Sequence, residues 1–538
     1  MPPEVRQSLI SALLKHLPEP SSPVVLVARP DQPRPTPIRT NGHRPSVSVQ
    51  AYNPSVAFIL EISTILASRD AASLNLLGES VADALQNVVR DAANVHVLVL
   101  SRAVLYLMHL MNACQVWQDH SLFKTPVILH TISGFDQVVL EQVAQSVLGG
   151  LSLCIQQRTP LKHEIINTPD FWLILKNLHL AQSAAQAVFD IVQSIVTSEP
   201  IAVSADNFVA IVSLLDNFAT AGSIGASVEQ QSARRQQPPP PRDKRSPRHA
   251  ESATDTTSPY DKDVVIRGYK AVVLTSQLIQ RVPKLIEQSH LEFEEAWMTY
   301  WSLVFQKLQA QCLNPCRKIR RQACSSLQNA LLSPQLSPAS DEQWALIFRT
   351  VLFGLISRLL KPEIYQTDPV GMNETRLQAA NLLCRTFLHH LPLLCQRDDL
   401  LELWLRILDI MDRLMHSGQG DSLEEAVPES LKNILLVMAD SGVLLTPQPG
   451  TQSSELFAET RKRVDRFLPH LMNEIFPQVM EPENEATDPT SDADGSSMAP
   501  SISQSEQHGN TGSKGPPTSD ERDEDAKIES HQEESAPR

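Results

Sequence analysis

Three cysteines lie close enough together in the sequence to raise the question of a metal site. The candidate ligands are Cys312, Cys316 and Cys324, with His290 or His389 as a fourth. Structural zinc sites take tight pairs of ligands from two separate elements, whereas Pro315 stands inside the only close pair here. The spacing therefore favours buried structural thiols, and we predict no metal ligands.

Other residues that could do chemistry also lack the required pattern. His389 and His390 are adjacent on a predicted helix, where neighbours point about 100° apart, so they are not expected to chelate an ion jointly. The sequence contains no GxxxxGK[ST], no GxGxxG after a strand and no GxSxG. Gly418-Gln419-Gly420 is typical of a loop between helices. We therefore predict no catalytic residue, no cofactor-binding residue and no cofactor.

Amphipathic helices are the elements that would position any functional surface. Between Met372 and Asp440 three of them follow one another with short loops between them. Their apolar stripes are Leu377, Ala380, Leu383, Phe387 and Leu391, then Leu400, Trp404, Ile407, Met411 and Leu414, then Leu423, Val427, Leu431, Ile434 and Met438. Stripes of this kind must be covered by neighbouring helices. The sequence therefore predicts an all-α, HEAT/armadillo-like helical solenoid.

A faint internal repeat supports this fold. Residues 319–327 align with residues 375–383, and both segments carry Arg at the second place, Gln-Ala in the middle and Leu at the ninth. In HEAT-type repeats such an alanine permits close helix approach, and such an arginine can pair with the neighbouring unit. Arg320 and Arg376 are therefore predicted to join adjacent repeats.

Several local predictions follow from the same patterns. The N-terminal helix should bury Val5, Leu9, Leu13 and Leu14. Pro428 should kink or restart its helix, and Glu402–Arg406 and Asp409–Arg413 should form i,i+4 ion pairs. The aromatic cluster of Trp297, Tyr300, Trp301 and Phe305 is either core between stacked helices or an anchor for a partner.

Composition narrows the class of protein. The 538 residues are 42% hydrophobic and carry a formal net charge of −15, which argues against a nucleic-acid binder. Seven scattered cysteines suit a reduced cytosolic protein. No signal peptide and no uninterrupted apolar run of about 18 residues is found, so we expect any membrane contact to be peripheral.

Changes of composition divide the chain into four parts. We predict an N-terminal solenoid block at 1–222 with a Pro-rich loop at 29–48, a disordered basic linker at 223–260, a C-terminal solenoid block at 261–478 and a disordered acidic tail at 479–538. The basic linker is either a solvated spacer or a docking site for acidic lipid headgroups, with a further option of phosphorylation at Ser246.

The amino-acid sequences of several segments resemble those of one protein family. Asn314–Gln328, Asn373–Leu388, Leu403–Gly418 and Leu423–Asp440 resemble the carboxy-terminal region of the large Golgi-type Arf guanine-nucleotide exchange factors, the GBF/Gea class. Pro169–His179 and Arg281–Trp301 resemble its fungal members in particular. The resemblance runs from the N-terminal helix to about Pro477.

The resemblance implies a non-catalytic role. In that family a Sec-seven-type domain with a Phe-Arg-Leu-Pro-Gly-Glu loop exchanges GDP for GTP on Arf, and no such loop occurs in this sequence. The chain is thus expected to be a regulatory, membrane-recruiting solenoid in ER–Golgi traffic, cytoplasmic and peripherally associated with Golgi membranes. The implied partners are an Arf-family GTPase through the missing exchange domain, and a Golgi membrane or Golgi-resident protein. Self-association is left open, and no nucleic acid is expected.

A second hypothesis stays open beside the first. The chain could be a stand-alone HEAT-like scaffold of another class, such as a karyopherin-like or tethering-complex subunit, without any link to Arf.

Overall fold

Helices are the only regular secondary structure in the part of the chain that the computed structural model describes. That part is residues 2–17, 52–117, 124–156, 160–198, 202–229, 259–336, 339–417, 421–445 and 454–477. The all-α prediction is confirmed. The predicted loop at 29–48, most of the predicted linker, the Gly418–Gly420 loop and the predicted tail lie outside the described residues.

The helices are numbered in chain order. They are α1 (Pro3–Lys15), α2 (Pro54–Ala67), α3 (Ala71–Arg90), α4 (Val97–Val116), α5 (Thr125–Ser133), α6 (Gln137–Gln156), α7 (Pro160–Asn167), α8 (Pro169–Leu178), α9 (Ala185–Thr197), α10 (Ala205–Ala221), α11 (Pro259–Ile279) and α12 (Val282–Ser289). Next come α13 (Phe293–Ala296, a π-helical turn at Trp297–Ser302, then Leu303–Gln311), α14 (Arg317–Leu331) and α15 (Asp341–Ile347, a π-helical turn at Phe348–Leu352, then Phe353–Leu359). The last are α16 (Pro362–Tyr365), α17 (Pro369–Leu394), α18 (Leu400–His416), α19 (Asp421–Asp440), α20 (Glu455–Val464) and α21 (Leu471–Ile475).

The helices stack in two layers, which we call layer A and layer B. In layer A each helix packs on the next in the order α2, α4, α6, α9, α11, α14, α17 and α19. In layer B the order is α3, α5, α8, α10, α13, α15, α18 and α20. At one end α1 covers α2 and α3, and at the other α21 covers α19 and α20. Two layers stacked in chain order give the solenoid arrangement that the sequence predicts.

A single apolar core runs between the two layers. It extends from Ile10 to Met472, and α10 packs against α11 across the break in the described chain at 230–258. The helices of the two predicted blocks therefore share one core. That each block folds as a unit of its own stays a prediction.

Close packing within layer A depends on a glycine. A Cβ atom on Gly150 of α6 would lie 2.6 Å from Cγ of Met108 on α4, so only a residue without a side chain fits there. The close approach brings the Ser101 and Ser146 hydroxyls to 2.6 Å, and it lets the Cys154 thiol donate to the Met108 carbonyl at 3.4 Å. These pairs show that α4 and α6 run parallel.

The first helix turns a different face inward from the one predicted. Val5 and Leu9 are exposed, whereas Arg6 and Ile10 are buried. Arg6 donates one hydrogen bond of 2.9 Å to Asp70, the N-cap residue of α3, and another to the hydroxyl of Ser73. The ion pair with Asp70 explains the error, because it compensates for burying a cation that apolar patterning assigns to the surface.

The predicted start of the linker at residue 223 is wrong by several residues. Helical structure continues past α10 through Gly222–Ile224 and on to Glu229. The Glu229 carboxylate caps the amino terminus of α14, accepting from the backbone N–H of Arg317 at 2.7 Å and of Lys318 at 3.1 Å. This cap holds the segment in the fold even though its sequence is poor in large apolar residues.

Two predictions in the C-terminal helices have different outcomes. Helix α19 continues through Pro428 without a restart, and the alternative of a kink at Pro428 stays a prediction. The predicted ion pairs need correction. Neither predicted i,i+4 ion pair is present among the described residues: Asp409 pairs with Arg463 of α20, and Glu402 and Arg406 form no ion pair. Asp409 pairs with Arg463 of α20, the next helix of layer B, and not with Arg413 of its own helix.

Candidate functional site

The residues proposed for metal chemistry do not come together as a site. None of the seven cysteines forms a disulfide bond, and Cys312, Cys316 and Cys324 are buried, as predicted. Cys312 and Cys324 interact, while Cys316 donates to the Glu229 carboxylate at 3.5 Å. Burial raises the pKa of the Cys312 thiol well above its ordinary value. Within the described ranges no group of His, Cys, Asp and Glu side chains has the geometry to hold a metal ion.

The adjacent histidines occupy different environments. Their rings lie 4.7 Å apart at right angles, closer than the helical spacing suggests. His390 stacks on the buried indole of Trp344, with 3.4 Å between ring centroids. Burial, together with the neighbouring His389, lowers the pKa of His390 to about 4. His390 is thus a neutral packing residue of the α15–α17 contact.

The aromatic cluster of α13 belongs to the core. Trp297, Tyr300, Trp301 and Phe305 are all buried, and Tyr300 packs edge-on against Phe208 of α10. The core interpretation is therefore correct, and these side chains are not available as a surface anchor.

The repeat arginines do join adjacent elements. Arg320 is completely buried and donates to Thr375 Oγ1 at 2.9 Å, to the Asn314 and Pro315 carbonyls at 2.7 and 3.1 Å, and to Asp368 at 2.5 Å. Asp368 lies just before α17, so this contact links one repeat to the next. The prediction for Arg320 is confirmed.

Arg376 lies one repeat later and contacts residues that precede it, whereas Arg320 also bonds residues of the following repeat. The Arg376 guanidinium donates twice to the Leu359 carbonyl at the end of α15, at 3.0 and 2.9 Å, and packs 4.3 Å from the ring centroid of Tyr365. Another buried arginine of layer A, Arg267 of α11, donates to Gln186 of α9 at 3.2 Å. Arg267 was not predicted from the sequence, although it lies in the first half of a layer A helix, as Arg320 and Arg376 do.

One surface groove lies between α15 and α18 and has a volume of about 520 Å³. We call it the arginine groove. Arg349, Arg406 and Arg463 line it, together with Phe353, Gly354, Ser357, Glu402, Leu403, Leu405 and Asp409. Arg349 pairs with Asp399 at 2.8 Å and Arg463 with Asp409, whereas Arg406 has no ion-pair partner among the described residues.

The π-helical turn of α15 shapes one wall of this groove. A π turn leaves backbone carbonyls without their usual helical partners, and such turns are frequent at functional sites. Here the Gln309 side chain donates to the Thr350 and Val351 carbonyls at 3.1 and 2.9 Å. A Cβ atom on Gly354 would lie 2.8 Å from the Gln309 amide nitrogen, so Gly354 makes room for this contact. The wall is therefore rigidly held from the preceding repeat.

Another groove, which we call the α1–α4 groove, has a volume of about 570 Å³. It lies over the carboxyl-terminal half of α3. Its lining is mostly apolar, with polar groups at the rim: Leu14, Leu17, Asn53, Val56, Ser80, Asp83, Ala84, Asn87, Val88, Asp91, Val95, His96 and Val99. Neither groove was predicted from the sequence, because each is built by residues from several helices.

Three helices are long and apolar enough to cross a membrane by length and composition alone. They are Val97–Val116, Gln137–Gln156 and Ala205–Glu229. The sequence analysis found no such stretch, because it looked for an uninterrupted apolar run. In each helix, at least half of the most apolar 18-residue window is buried inside the protein, against neighbouring helices of the two layers.

Parts of this chain are similar in sequence to one protein family and to several known proteins. Residues 301–471 match the family described as a GBF1-like, tetratrico peptide repeat region. The "Golgi-specific brefeldin A-resistance guanine nucleotide exchange factor 1 homolog" of Caenorhabditis elegans is 33% identical over 197 residues, which is 36% of this chain and 10% of that protein. The "ARF guanine-nucleotide exchange factor GNOM" of Arabidopsis thaliana is 34% identical over 182 residues, 33% of this chain and 12% of that protein.

A yeast relative matches over a longer stretch. The "ARF guanine-nucleotide exchange factor 1" of Saccharomyces cerevisiae is 25% identical over 289 residues, which is 52% of this chain and 18% of that protein. The matched segment thus spans between a tenth and a fifth of the length of these three relatives. The chain therefore resembles a non-catalytic, helical-repeat region of large Arf guanine-nucleotide exchange factors.

Proposed function

We propose that this chain is a regulatory and membrane-recruiting solenoid of an Arf guanine-nucleotide exchange factor that acts in traffic between the endoplasmic reticulum and the Golgi. One observation carries the proposal: the arginine groove lies entirely within residues 301–471, the part that matches the GBF1-like family. In this role the helices contribute binding surface, and Arf itself is engaged by an exchange domain outside them.

The arginine groove is the surface that we assign to partner binding. Arg406 is exposed and has no ion-pair partner in the described part of the chain, while Phe353 and Leu403 provide a nearly buried apolar floor. A guanidinium presents a planar fork of donors that suits a carboxylate or phosphate. An acidic segment of a Golgi-resident protein would therefore gain a charged contact at Arg406 and apolar contact beside it.

Two assays test the proposal. The purified chain should not accelerate nucleotide exchange on an Arf protein, because none of its described residues forms a catalytic arrangement. In a pull-down of solubilised Golgi membranes, the chain should retain a resident protein, and Arg406→Glu should abolish retention. Arg413→Glu is the matched control, since Arg413 is exposed on the same helix but lies outside the groove. Equal retention by both variants would refute the assignment of the groove.

A further inference from the structure

The α1–α4 groove borders both ends of one connecting segment. Leu17, the last described residue after α1, lines the groove, and so does Asn53, the residue that caps α2. Tyr52 also lies at the rim, with its ring centroid 5.4 Å from that of His96. The described chain therefore stops at Leu17 and resumes at Tyr52 beside the same cavity.

Connectivity alone does not require so long a segment. Helix α1 runs parallel to α3, since Arg6 meets Asp70 at the start of α3 while Leu14 and Leu17 share the groove with Asn87 and Val88 near its end. Helix α2 begins at that same end of α3. Helix–helix connections in such folds usually take about 2–8 residues, so most of the segment is surplus to joining α1 and α2.

The segment and the groove are complementary in chemistry. Residues 23–29 read Pro-Val-Val-Leu-Val-Ala-Arg, a continuous apolar run that ends in a cation. Residues 18–51 contain four arginines against one glutamate and one aspartate. The groove offers apolar walls, and its rim carries the Asp83 and Asp91 carboxylates on one face of α3. Asp83 has no ion-pair partner among the described residues.

We propose that residues 23–29 of this chain bind in the α1–α4 groove. The apolar side chains of Val24 to Val27 cover the walls formed by Val56, Val88 and Val99, and Arg29 lies toward the acidic rim. The six residues between Leu17 and Val24 give seven Cα–Cα steps, which can span at most about 25 Å, enough to fold back over a cavity that begins at Leu17. Because the segment is tethered beside the groove, its effective concentration there is about 1 mM. Even an intrinsic dissociation constant of about 0.1 mM would therefore leave the groove occupied in about nine of ten molecules.

Thiol labelling of the full chain tests the proposal. Asn87→Cys places a thiol on the exposed rim, and its rate of reaction with a maleimide reports access to the groove. In a second chain, Val24, Val25, Leu26 and Val27 are all also changed to Ser. We expect labelling to be about tenfold slower with the native segment than with the serine segment, given the occupancy estimated above. The parent chain measures the background from the native cysteines.

Two further measurements keep the outcome decisive. Gln142→Cys, exposed on α6 and outside the groove, should label at the same rate with either segment. A free peptide of residues 20–32 should bind the serine chain, and Asp83→Lys should weaken that binding by about two- to fivefold, as for an exposed ion pair. Equal labelling of Asn87→Cys in both chains overturns the proposal, as does a peptide that binds the native and serine chains equally well.

Discussion

Replacing Arg320 is the sharpest perturbation of the fold that the structure offers. Its guanidinium is completely buried and holds four partners from two repeats: Thr375, Asn314, Pro315 and Asp368. Arg320→Met keeps most of the side-chain volume but removes every one of these hydrogen bonds. Two backbone carbonyls in the turn before α14 then lose a buried donor.

The expected cost follows from what remains after the change. Removing one partner of a buried ion pair typically costs about 3–5 kcal/mol. Asp368 keeps its second cation, because Arg317 donates to it at 2.6 and 3.0 Å. We therefore expect Arg320→Met to lower the free energy of unfolding by about 3 kcal/mol, toward the low end of that range. Arg320→Lys should cost nearly as much, since an ammonium cannot reproduce the planar fork.

Urea unfolding followed by circular dichroism at 222 nm measures this cost. Arg321→Ala is the matched control: the neighbouring arginine pairs with Glu374 at 2.6 Å, but the two side chains are 52% and 38% exposed. Such a surface pair contributes about 0.2–1 kcal/mol. If Arg320→Met and Arg321→Ala shift the first unfolding transition equally, the inter-repeat network does not stabilise the solenoid as argued.

Three other predictions concern the core and its titration. Gly150→Ala should lower the melting temperature, because the added Cβ would clash with Met108 of α4. Gly149→Ala should raise the free energy of unfolding by about 0.5–1 kcal/mol, because nothing lies within 4 Å of its added Cβ. A higher melting temperature for Gly150→Ala than for Gly149→Ala would contradict the described packing of α4 on α6. Because burial lowers the pKa of His390 from 6.5 to about 4, the unfolded chain binds the extra proton and stability should fall as pH drops through that window. Urea unfolding at several pH values should show this loss much reduced in His390→Gln and only slightly reduced in His389→Gln, because burial is the larger cause of the lowered pKa and the charge of His389 the smaller one. Trp404→Ala should lower the free energy of unfolding by about 3–5 kcal/mol in the same urea assay, because the indole is completely buried. A loss below about 1 kcal/mol would mean that Trp404 does not face the core.

A titration of the inter-repeat pair gives a separate check on the electrostatics. Burial raises the pKa of Asp368, but hydrogen bonds from Arg317 and Arg320 lower it by more, so the net result is a pKa of about 2. A carboxyl with a lowered pKa stabilises the fold above its unfolded value near 3.8, and this stabilisation is lost as pH falls through about 2. Asp368→Asn should therefore lose less stability than the native chain between pH 4 and 2.

Apolar periodicity predicted the helices well because burial of one stripe dominates their packing. The stripes through Trp404 and Leu431 are buried as expected. Apolar periodicity gave the wrong buried face or boundary where a hydrogen bond or ion pair with a distant residue stabilises a polar side chain inside the fold. Arg6 turns inward because Asp70 and Ser73 accept its hydrogen bonds, and Glu229 extends the fold because it caps α14. Such partners are distant in the sequence, so no local pattern reveals them.

The grooves could not be predicted for a related reason. Each is the space left between helices that are far apart in the chain, and its volume depends on how closely those helices approach. The repeat motif did predict that Arg320 and Arg376 would be structural, since both occur early in helices that must pack on a neighbour. It gave no sign that Arg463 would pair with Asp409, or that Arg406 would line the arginine groove without an ion-pair partner among the described residues.

The location of the chain in living cells tests the central claim most directly. A fluorescently tagged chain should concentrate on membranes that carry a Golgi marker, and Arg406→Glu should release it to the cytosol while Arg413→Glu should not. We expect this pattern because the proposed function gives the solenoid a binding surface for a Golgi-resident partner. A tagged native chain that stays diffuse, with or without the endogenous exchange factor, would contradict it.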